Sequence, residues 1–353
     1  MNKVLIFSPS HGIWGGGQIY IEQLCNFLNM EEDIESYIIT SEPESFKCPA
    51  LKMKQVLSKK YRLIEAQNIA KKYRLQGFRY IILNDLSSLW LAPIFKMYGF
   101  KVISLLHLYL QTKKENPLGH SSLEYLLLKF SSKFCDKIFS VNKDNIKVFG
   151  MQVEFIGNYV PDWFFEAPKT NKKKYDFIII ARLAKQKNIP LFLEVLANLN
   201  NKGNNYSLLI VGEGPEKENI INKIEALRLK ENVILKPWSE RKDLPNIYDL
   251  GKVFVISSYH EGFPTTLLEA HARGLPAVVT KSSGFAGEFV EGYGDKTGVV
   301  FEFNDVNNQD FLGAVEKLVS DYDKYEKKSI SKAKKFTEDI VLGPIKKYIK
   351  ESS

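Results

Sequence analysis

Residues 253–280 read VFVISSYHEGFPTTLLEAHARGLPAVVT. The stretch opens with the apolar run Val253–Ser257 and closes with a second apolar run, Pro276–Thr280. Between them, Thr266–Arg273 is a helical candidate, and Pro264 stands where the first residue of a helix tolerates a proline. A strand, a helix and a second strand in succession predict two parallel strands joined by a crossover helix.

Similar short apolar runs alternate with amphipathic stretches along the whole chain. In the first half they are Val4–Phe7, Ser36–Thr40, Tyr80–Leu83, Lys101–Leu105, Lys137–Val141 and Glu154–Ile156. In the second half Asp176–Ile180, Ser207–Val211 and Asn232–Leu235 precede the two runs above, with helical candidates at Ile189–Leu199 and Glu216–Leu229. The pattern predicts an α/β protein with two doubly wound, parallel-sheet units in tandem.

A segment that combines prolines with a run of lysines separates the two series. It covers residues 158–174 and has the composition of a linker. We therefore predict a first domain over residues 1–165 and a second over residues 166–337. The C-terminal tail has a helical pattern interrupted near Pro344, and we expect a helix at about 338–353 to pack back on the first domain.

Composition excludes several classes of protein. The chain has 353 residues, of which 44% are hydrophobic and 25% charged, as in a globular protein of about two domains. Its three cysteines are widely spaced and predict neither a disulfide framework nor a zinc site. The opening MNKVLIFSP lacks the apolar core of a signal peptide, and no run approaches the ~18 apolar residues of a spanning helix. We therefore expect a cytoplasmic protein.

The net charge of +8 predicts an acidic partner, such as nucleic acid, a phosphorylated small molecule or anionic lipid. Nucleic acid is the least favoured, because the cations singled out below adjoin carboxylates and no base-stacking motif appears. Residues 113–149 contain seven lysines and four acids, interleaved with leucines and aromatic residues. This stretch is either a basic amphipathic helix that lies on an anionic membrane surface or a core helix with its lysines outward.

Charged residues cluster where strands of the second half end. Arg182 and Lys187 follow the strand at Asp176–Ile180. Glu261 follows a neighbouring strand, and Glu269 lies inside the next helix. Doubly wound sheets bind ligands at the carboxyl ends of their strands. Cations that bind phosphate, beside carboxylates that accept from hydroxyl groups, fit a phosphorylated sugar.

Two glycine-rich turns lie at the same kind of position. Gly15, Gly16 and Gly17 separate the first strand from a helical stretch, and GEGP at 212–215 follows a later strand. Backbone N–H groups at the first turn suit a phosphate. The second is a sharp strand-to-helix turn with Pro215 at the start of a helix. The dinucleotide fingerprint G-x-G-x-x-G is not satisfied at the first turn, so a tight strand-to-helix connection is the alternative there.

These motifs in this order resemble family 4 of the retaining glycosyltransferases: ARLAKQKN at 181–188, GEGP at 212–215, HEGFPTTLLEAHARGLPAVVT at 260–280, and the N-terminal glycines. The similarity spans most of the chain. It implies the GT-B fold, with two Rossmann-like domains facing across a cleft. It also implies transfer of a sugar, with retained configuration, from a nucleotide-diphosphate donor to a carbohydrate or polyprenyl-linked acceptor, with no metal and no cofactor.

The resemblance also implies roles for individual residues. Arg182 and Lys187 would neutralise the donor diphosphate, and Glu261 would contact the transferred sugar. His107 stands where the family often has a histidine on the acceptor side, with a structural histidine as the alternative. The remaining implied donor-binding residues are Gly16, Gly17, Gly212, Gly214, Gly262, Phe263, Thr265, Thr266, Glu269 and Trp238. Glu269 would hold the ribose. For Trp238 the alternative is that its side chain only packs against the protein.

Two further functions remain open at this point. A nucleotide-sugar 2-epimerase has the same kind of fold and converts a donor without an acceptor, whereas a non-catalytic protein would only bind the sugar nucleotide. The one D-x-D motif, Asp321-Tyr-Asp323, lies in the charged tail and predicts a solvated helix. We favour a UDP-sugar donor and, by analogy at the level of the fold, a part in bacterial surface polysaccharide synthesis.

Overall fold

The computed structural model describes residues 1–8, 16–52, 59–107, 121–149, 153–170, 173–292 and 294–352. The chain divides into two compact units, one formed by Met1–Gly157 with Asp339–Ser353 and the other by Asn158–Glu338. Each unit is built on one parallel sheet with helices between its strands. The predicted α/β class with two parallel-sheet units is confirmed.

The first unit contains a sheet of seven described strands. They are β1 (Asn2–Phe7), β2 (Ile34–Thr40), β3 (Ala50–Lys52), β4 (Tyr80–Asn84), β5 (Lys101–Leu106), β6 (Lys137–Ser140) and β7 (Val153–Phe155). The helices between them are α1 (Gly16–Asn29), α2 (Lys59–Leu75), α3 (Leu86–Leu89), α4 (Ala92–Met97), α5 (Ser122–Ser131) and α6 (Asn145–Phe149). The strand order is β3-β2-β1-β4-β5-β6-β7.

The second unit contains a sheet of six described strands. Its elements begin with α7 (Trp163–Glu166), β8 (Tyr175–Ile180), α8 (Ile189–Asn201), β9 (Leu208–Val211), α9 (Lys217–Ala226), β10 (Val233–Lys236), α10 (Leu244–Tyr248) and β11 (Gly251–Ile256). They continue with α11 (Thr265–Ala272), β12 (Ala277–Thr280), α12 (Phe285–Glu291), β13 (Gly298–Phe301), α13 (Gln309–Ser320) and α14 (Tyr322–Ala333), before the C-terminal α15 (Glu338–Glu351). The strand order is β10-β9-β8-β11-β12-β13.

The two sheets reverse their strand order at equivalent places. In the first unit the chain runs outward from β1 through β2 to β3 and then returns to β4, which pairs with β1 on the other side. In the second unit the corresponding neighbours are β8 and β11. The crevice outside the carboxyl ends of such a strand pair is where doubly wound folds bind ligands. The topology therefore marks one candidate site in each unit.

The apolar runs predict the central strands well because helices cover both faces of a parallel sheet. All five residues of β4 are buried, as are all four of β9. Two edge strands, β3 and β13, are absent from the sequence prediction. They have three and four residues, and their pairing with β2 and β12 defines them as strands.

The division between the units falls at 157/158, whereas the sequence predicts 165/166. The residues in between are hydrogen-bonded within the second unit. The buried guanidinium of Arg273 donates to the backbone oxygens of Phe164 and Ala167, at 2.7 Å each, and forms an ion pair with Asp249. The amide of Val160 donates to the oxygen of Phe336 at 2.9 Å. Composition reveals a linker, but only these long-range bonds assign its first part to a unit.

The C-terminal helix α15 belongs almost entirely to the first unit. Tyr80 of β4 donates from its hydroxyl to the backbone oxygen of Ile349 at 3.0 Å, and Lys346 pairs with Glu31 at 2.9 Å. The predicted interruption near Pro344 is wrong, because the helix continues through this residue. Packing of its apolar face compensates for the backbone hydrogen bond that a proline cannot make.

We expect the second unit to lose stability in mild acid because of His271. The side chain is fully buried in α11, its Nε2 is 2.9 Å from the hydroxyl of Thr297, and its Nδ1 has no partner among the described residues. Burial lowers the pKa of His271 to about 3. The unfolded chain therefore binds the proton first as the pH falls below about 6.5, and unfolding becomes easier.

Between pH 7 and pH 5 this effect is expected to remove about 2 kcal/mol of folding free energy. Urea unfolding of the wild type, His271→Gln and the matched control His260→Gln at both pH values measures it. The loss should shrink in His271→Gln and persist in the control. An equal loss in all three proteins would show that His271 does not cause the acid sensitivity.

Candidate active site

The second unit has a small pocket at the carboxyl ends of β8 and β11. Its lining includes Ala181, Lys187, Ser257, Glu261 and Thr266. These residues come from the loop after β8, the loop after β11 and the first turn of α11. The pocket lies at the point where the strand order of this sheet reverses.

The loop after β8 is shaped by a short 3₁₀ turn at Lys185–Lys187. Asn188 then adopts a left-handed conformation, with φ of 45°, and the chain enters α8. The hydroxyl of Ser257 donates to the backbone oxygen of Lys187 at 3.0 Å, and the amide of Tyr259 donates to that of Gln186 at 2.9 Å. These bonds fix the loops after β8 and β11 against each other.

Lys187 and Glu261 form an ion pair in this pocket. Nζ of Lys187 lies 2.5 Å from Oε1 of Glu261, and the hydroxyl of Ser258 donates to the same oxygen at 2.7 Å. The Glu261 side chain is only 10% exposed and that of Lys187 26%. Water and salt screen the charges of a partly buried ion pair less than those of an exposed pair. The charges of Lys187 and Glu261 therefore act strongly on a ligand that binds in the pocket.

Arg182 lies one residue beyond Ala181, at the end of β8, and its side chain is exposed. It forms no ion pair with any residue that the structure describes. Unlike Lys187, it is not among the residues that line the pocket, but it directly follows Ala181, which is. Its guanidinium suits the oxygens of a phosphate, which it can bind through two parallel hydrogen bonds.

Glu269 is buried within α11 and is held by Tyr248 at the end of α10. The tyrosine hydroxyl donates to Oε2 of the carboxylate at 2.7 Å. Burial raises the pKa of Glu269, while the hydrogen bond from Tyr248 and the positive charge of Arg241 act in the opposite direction. Burial also raises the pKa of Tyr248, so its hydroxyl stays protonated and can donate.

Gly212 and Gly214 lie in the turn after β9, where two backbone segments touch. A Cβ at Gly212 would stand 1.9 Å from the backbone oxygen of Ala181, and one at Gly214 would stand 2.3 Å from that of Leu183. Any larger residue would push the loop after β8 out of place. These glycines therefore position the loop that carries Arg182, whatever contact they make with a ligand.

Helix α11 begins at Thr265, one residue before the helical candidate Thr266–Arg273 and one residue after Pro264, the predicted first helical residue. Pro264 is extended, with ψ of 125°, and the helix begins at Thr265 because the proline acts as the residue before the first turn. The amides of Thr265 and Thr266 belong to the first turn, whose N–H groups have no partner within a helix. The side chain of Phe263 packs on Phe285, with ring centroids 4.8 Å apart, so only its backbone remains for a ligand.

Trp238 follows β10 and is 53% exposed. It does not line the pocket at the ends of β8 and β11. The exposure argues against the alternative that it serves only as core packing. An exposed indole is available to stack on a planar group.

A second cluster occupies the carboxyl edge of the sheet in the first unit. His107 follows β5, and its Nε2 lies 2.9 Å from Oδ1 of Asn84. The ring of Tyr20, from α1, meets the imidazole edge to face at 4.9 Å. Gly16 and Gly17 form the start of α1, and a Cβ at Gly17 would touch His107 at an ordinary 3.8 Å. The predicted glycine-rich turn itself, residues 9–15, lies outside the described residues.

Several residues of these clusters are missing from the sequence prediction, among them Tyr248, Ser258 and Asp85. Tyr248 gives no local signal, because its partner Glu269 is 21 residues away. Ser258 gives none because its contact with Glu261, three residues on, lies in a loop that has no regular period. Asp85 directly follows the buried strand β4, and a polar residue at the carboxyl end of such a strand is a usable signal. Within the described residues no group of three or more His, Cys, Asp or Glu side chains is placed to hold a metal ion.

Comparison with known proteins places this site in a family. The family model described as glycosyl transferases group 1 matches residues 162–336, which include both pocket loops and α11. The matched part of the chain belongs to the group 1 glycosyl transferases. The matched residues 162–336 hold the ion pair of Lys187 and Glu261 as well as the Tyr248–Glu269 contact.

Two curated relatives and one solved structure show how far the likeness extends. The chain is 31% identical over 157 residues to the UDP-Gal:alpha-D-GlcNAc-diphosphoundecaprenol alpha-1,3-galactosyltransferase of Escherichia coli, a match covering 42% of this chain and 38% of that protein. It is 26% identical to the amylovoran biosynthesis glycosyltransferase AmsD of Erwinia amylovora, covering 79% of this chain and 80% of that protein. The chain thus spans well under half the length of the first relative.

Among solved structures, Anabaena HepE in complex with UDP superposes with a TM-score of 0.78 at 15% identity, covering 100% of this chain and 99% of that one. Likeness at this level of identity concerns the fold. The two Rossmann-like units of this glycosyl transferase family member are those of the GT-B class.

Proposed function

We propose that this protein is a retaining glycosyltransferase that moves a hexose from a UDP-sugar to a carbohydrate or lipid-linked acceptor. The observation that carries the proposal is the arrangement of charges at the ends of β8 and β11. An exposed Arg182, the Lys187–Glu261 pair and the buried Glu269 all come from elements around one sheet edge. Such a set offers cations to a diphosphate and carboxylate oxygens to sugar hydroxyls.

In this proposal Arg182 and Lys187 stabilise the negative charge that develops on the leaving diphosphate. Glu261 binds the transferred sugar, and Glu269 binds the ribose through the oxygen that Tyr248 does not use. The amides of Gly262, Phe263, Thr265 and Thr266 bind phosphate or sugar oxygens. Trp238 stacks on the base, and Gly212 and Gly214 hold the Arg182 loop. Gly16 and Gly17, as glycines, let the backbone approach a phosphate closely.

The named relatives support this choice of donor and pathway. One is a galactosyltransferase whose name gives UDP-Gal as its donor and a diphosphoundecaprenol-linked sugar as its acceptor, and another belongs to amylovoran biosynthesis. HepE binds UDP in its solved structure. We therefore place this protein in the cytoplasm, in the synthesis of a bacterial surface polysaccharide.

A panel of nucleotide sugars tests the proposal. We expect slow hydrolysis of one UDP-sugar to UDP in the absence of an acceptor, with retained configuration of the transferred sugar when an acceptor is present. A new sugar nucleotide formed from the donor alone would identify a 2-epimerase instead. Binding of a sugar nucleotide without any turnover would identify a non-catalytic binding protein.

We further propose that α5 attaches the protein to an anionic membrane surface. Leu123, Leu126, Leu127 and Phe130 are spaced by three, four and seven residues, so they share one face of the helix, and each is more than half exposed. Lys129 on the same helix is exposed beside this face. Apolar side chains flanked by a cation are typical of helices that lie in the interface of an anionic bilayer.

The inward-facing residues and the N-terminal cap of α5 hold this helix at the surface of the first unit with its apolar face outward. Leu128 and Ser131 face inward, and a capping box between Ser121 and Glu124 fixes the start of the helix. None of the helices that the structure describes is long and apolar enough to span a bilayer. Residues 113–120 of the predicted basic stretch lie outside the described residues.

We expect the wild type to sediment with vesicles that contain phosphatidylglycerol and to stay in solution with neutral vesicles. The double variant Leu126→Asp/Phe130→Asp should bind anionic vesicles more than tenfold less, because it removes two of the four apolar anchors. The matched control Lys71→Ser/Lys72→Ser on α2 should bind like the wild type. Equal recovery of wild type and Leu126→Asp/Phe130→Asp in the supernatant would contradict the proposal, and loss of a dimer in the variant would assign the face to self-association.

A further inference from the structure

Strand β12 ends in a threonine whose hydroxyl binds the pocket loop after β11. Thr280 is the last residue of β12, and its side chain is fully buried. Its Oγ1 donates to the backbone oxygen of Ser258 at 2.7 Å, and the hydroxyl of Ser282 donates to the same oxygen at 2.9 Å. Two donors from the end of β12 therefore hold the backbone of the loop that carries Glu261.

The direction of the hydrogen bonds around Thr280 follows from what each group can donate. Its Oγ1 lies 2.7 Å from Oγ of Ser283, which is also buried. A carbonyl oxygen only accepts, so the single hydroxyl hydrogen of Thr280 is used by its bond to Ser258. Ser283 must then donate to Thr280. Because hydrogen bonds in a chain polarise one another, the bond from Ser283 strengthens the bond that Thr280 makes to Ser258.

Ser258 connects these hydroxyl groups to the ion pair of the pocket. Its own hydroxyl donates to Oε1 of Glu261 at 2.7 Å, and this is the oxygen that Nζ of Lys187 approaches to 2.5 Å. The other carboxylate oxygen, Oε2, has no hydrogen-bond partner among the described residues. With Oε1 held by two donors, Oε2 is the oxygen that can accept from a ligand. The orientation of Ser258 therefore decides which oxygen Glu261 presents.

The fold does not require a hydroxyl at the end of β12. The three preceding residues of this strand, 277–279, are apolar and buried, and valine has nearly the shape of threonine. With valine at position 280, the oxygen of Ser258 would keep the hydroxyl of Ser282 as a donor. The residues after β12 also meet Glu261 directly, because a Cβ at Gly284, where φ is 55°, would stand 2.5 Å from the backbone oxygen of Glu261. The end of β12 thus packs against both ends of the segment 258–261.

We propose that Thr280 is a positioning residue of this active site. Acting through Ser258, it holds Oε1 of Glu261 against Lys187 and leaves Oε2 for a hydroxyl of the transferred sugar. A carboxylate that is oriented in advance loses little freedom when the substrate binds, which favours the reaction. The effect on the rate rests on the function proposed above, whereas the fixing of the loop does not.

Two substitutions at position 280 test this role. Thr280→Val removes the hydroxyl and keeps the shape, whereas Thr280→Ser keeps the hydroxyl. We expect Thr280→Val to lower kcat for sugar transfer about tenfold and to leave the affinity for UDP unchanged, because UDP has no transferred sugar that could contact Glu261. Thr280→Ser should keep most of the wild-type kcat. Equal kcat in the wild type and Thr280→Val would overturn the proposal.

Thr297→Val is the matched control for the loss of a buried hydroxyl. Thr297 belongs to the same unit, is fully buried and contacts His271 at 2.9 Å, but it does not line the pocket. We expect this variant to lose stability and to keep the wild-type kcat. A fall in kcat of the same size in Thr280→Val and Thr297→Val would mean that both threonines serve only the fold.

A double variant shows whether Thr280 acts through Ser258. Ser258→Ala alone should also lower kcat about tenfold, because the donor to Oε1 is lost. Once that hydroxyl is gone, Thr280→Val has little left to remove, so Thr280→Val/Ser258→Ala should be about tenfold slower than the wild type and not about a hundredfold slower. Losses that multiply in the double variant would contradict an action of Thr280 through Ser258.

Amide hydrogen exchange of the protein without ligands separates this proposal from the proposed function. Peptides that cover residues 257–263 should exchange faster in Thr280→Val than in the wild type, and Thr297→Val should leave their exchange unchanged. If this difference appears and the wild type turns over no nucleotide sugar, the positioning role stands and the proposed sugar transfer falls. If the wild type transfers sugar and Thr280→Val matches it in rate and in exchange, the positioning role falls.

Discussion

Replacing Lys187 with alanine is expected to lower kcat for sugar transfer by a factor of about 100 to 1,000, with a much smaller effect on the binding of UDP. The ammonium acts on charge that builds up on the diphosphate as the bond to the sugar breaks. The loss of one such preorganised donor costs about 3 to 4 kcal/mol of transition-state stabilisation. The measurement is release of UDP from the donor that the panel identifies.

Lys185→Ala is the matched control for this experiment. Lys185 lies in the same 3₁₀ turn, and its side chain is exposed. Its removal changes the net charge by the same amount, so a general electrostatic effect would lower kcat equally in both variants. We expect the control to keep at least half of the wild-type kcat. A Lys187→Ala variant that is folded and retains a similar rate would remove Lys187 from the mechanism.

Because Lys187 is paired with Glu261, its removal affects the stability of the fold as well as the rate, and a double variant separates the two effects. Lys187→Ala leaves the largely buried Glu261 with Ser258 as its remaining described partner, which destabilises the folded protein. The double variant Lys187→Ala/Glu261→Gln removes both charges, so it should recover the lost stability. It should not recover kcat. Recovery of both properties would mean that Lys187 serves the fold and not the reaction.

Replacing Glu269 with glutamine is expected to weaken the binding of UDP by about 10- to 150-fold, because hydrogen bonds to a charged acceptor contribute about 1.5 to 3 kcal/mol. The same change should leave the protein as stable as the wild type or make it more stable at pH 7. Burial raises the pKa of Glu269, so the folded protein binds this proton more tightly than the unfolded chain does. Stability therefore falls as the pH rises from about 4.5 through the folded pKa, and removing the charge relieves this loss.

Tyr248→Phe tests the partner of Glu269. Without the hydroxyl, the pKa of Glu269 should rise further, and binding of UDP should decline at a higher pH than in the wild type as the solution is acidified. Calorimetric titrations of UDP between pH 5 and pH 8 measure this shift. Glu291→Gln, at the exposed end of α12, is the control carboxylate. Unchanged UDP affinity in Glu269→Gln across this range would assign the buried carboxylate to structure alone.

The sequence predicts the architecture because the relevant signals are local. A strand covered on both faces must be apolar along its length, and the runs at β4, β9 and β11 are recognisable for that reason. The alternation of such runs with helical stretches predicts the parallel sheets. Short strands at the sheet edges are predicted only in part: β7 and β10 are found, whereas β3 and β13 are missed.

The candidate residues were predicted by their place after a strand, but their partners were not. Arg182, Lys187 and Glu261 lie in loops that follow strands, and Glu269 lies in the helix after one of these loops, so their places can be read from the sequence alone. The contact of Lys187 with Glu261 joins residues 74 apart, and Tyr248 is 21 residues from Glu269. Helix and strand periods relate residues only a few positions apart, so they do not reveal contacts over 21 or 74 residues. They arise because neighbouring strands in a parallel sheet bring the loops at their carboxyl ends together.

By itself, then, the sequence determined that this chain forms two parallel α/β units and which loops carry charged and glycine residues. The tertiary structure alone decided which of those charges are paired, that Glu269 is buried against Tyr248, and that Phe263 belongs to the core. It also placed Asp85, in a conformation suited to glycine, with its amide donating to the backbone oxygen of Leu105. The physical reason is that burial and hydrogen bonding depend on residues that only folding brings into contact, whereas helix and strand patterns depend on near neighbours.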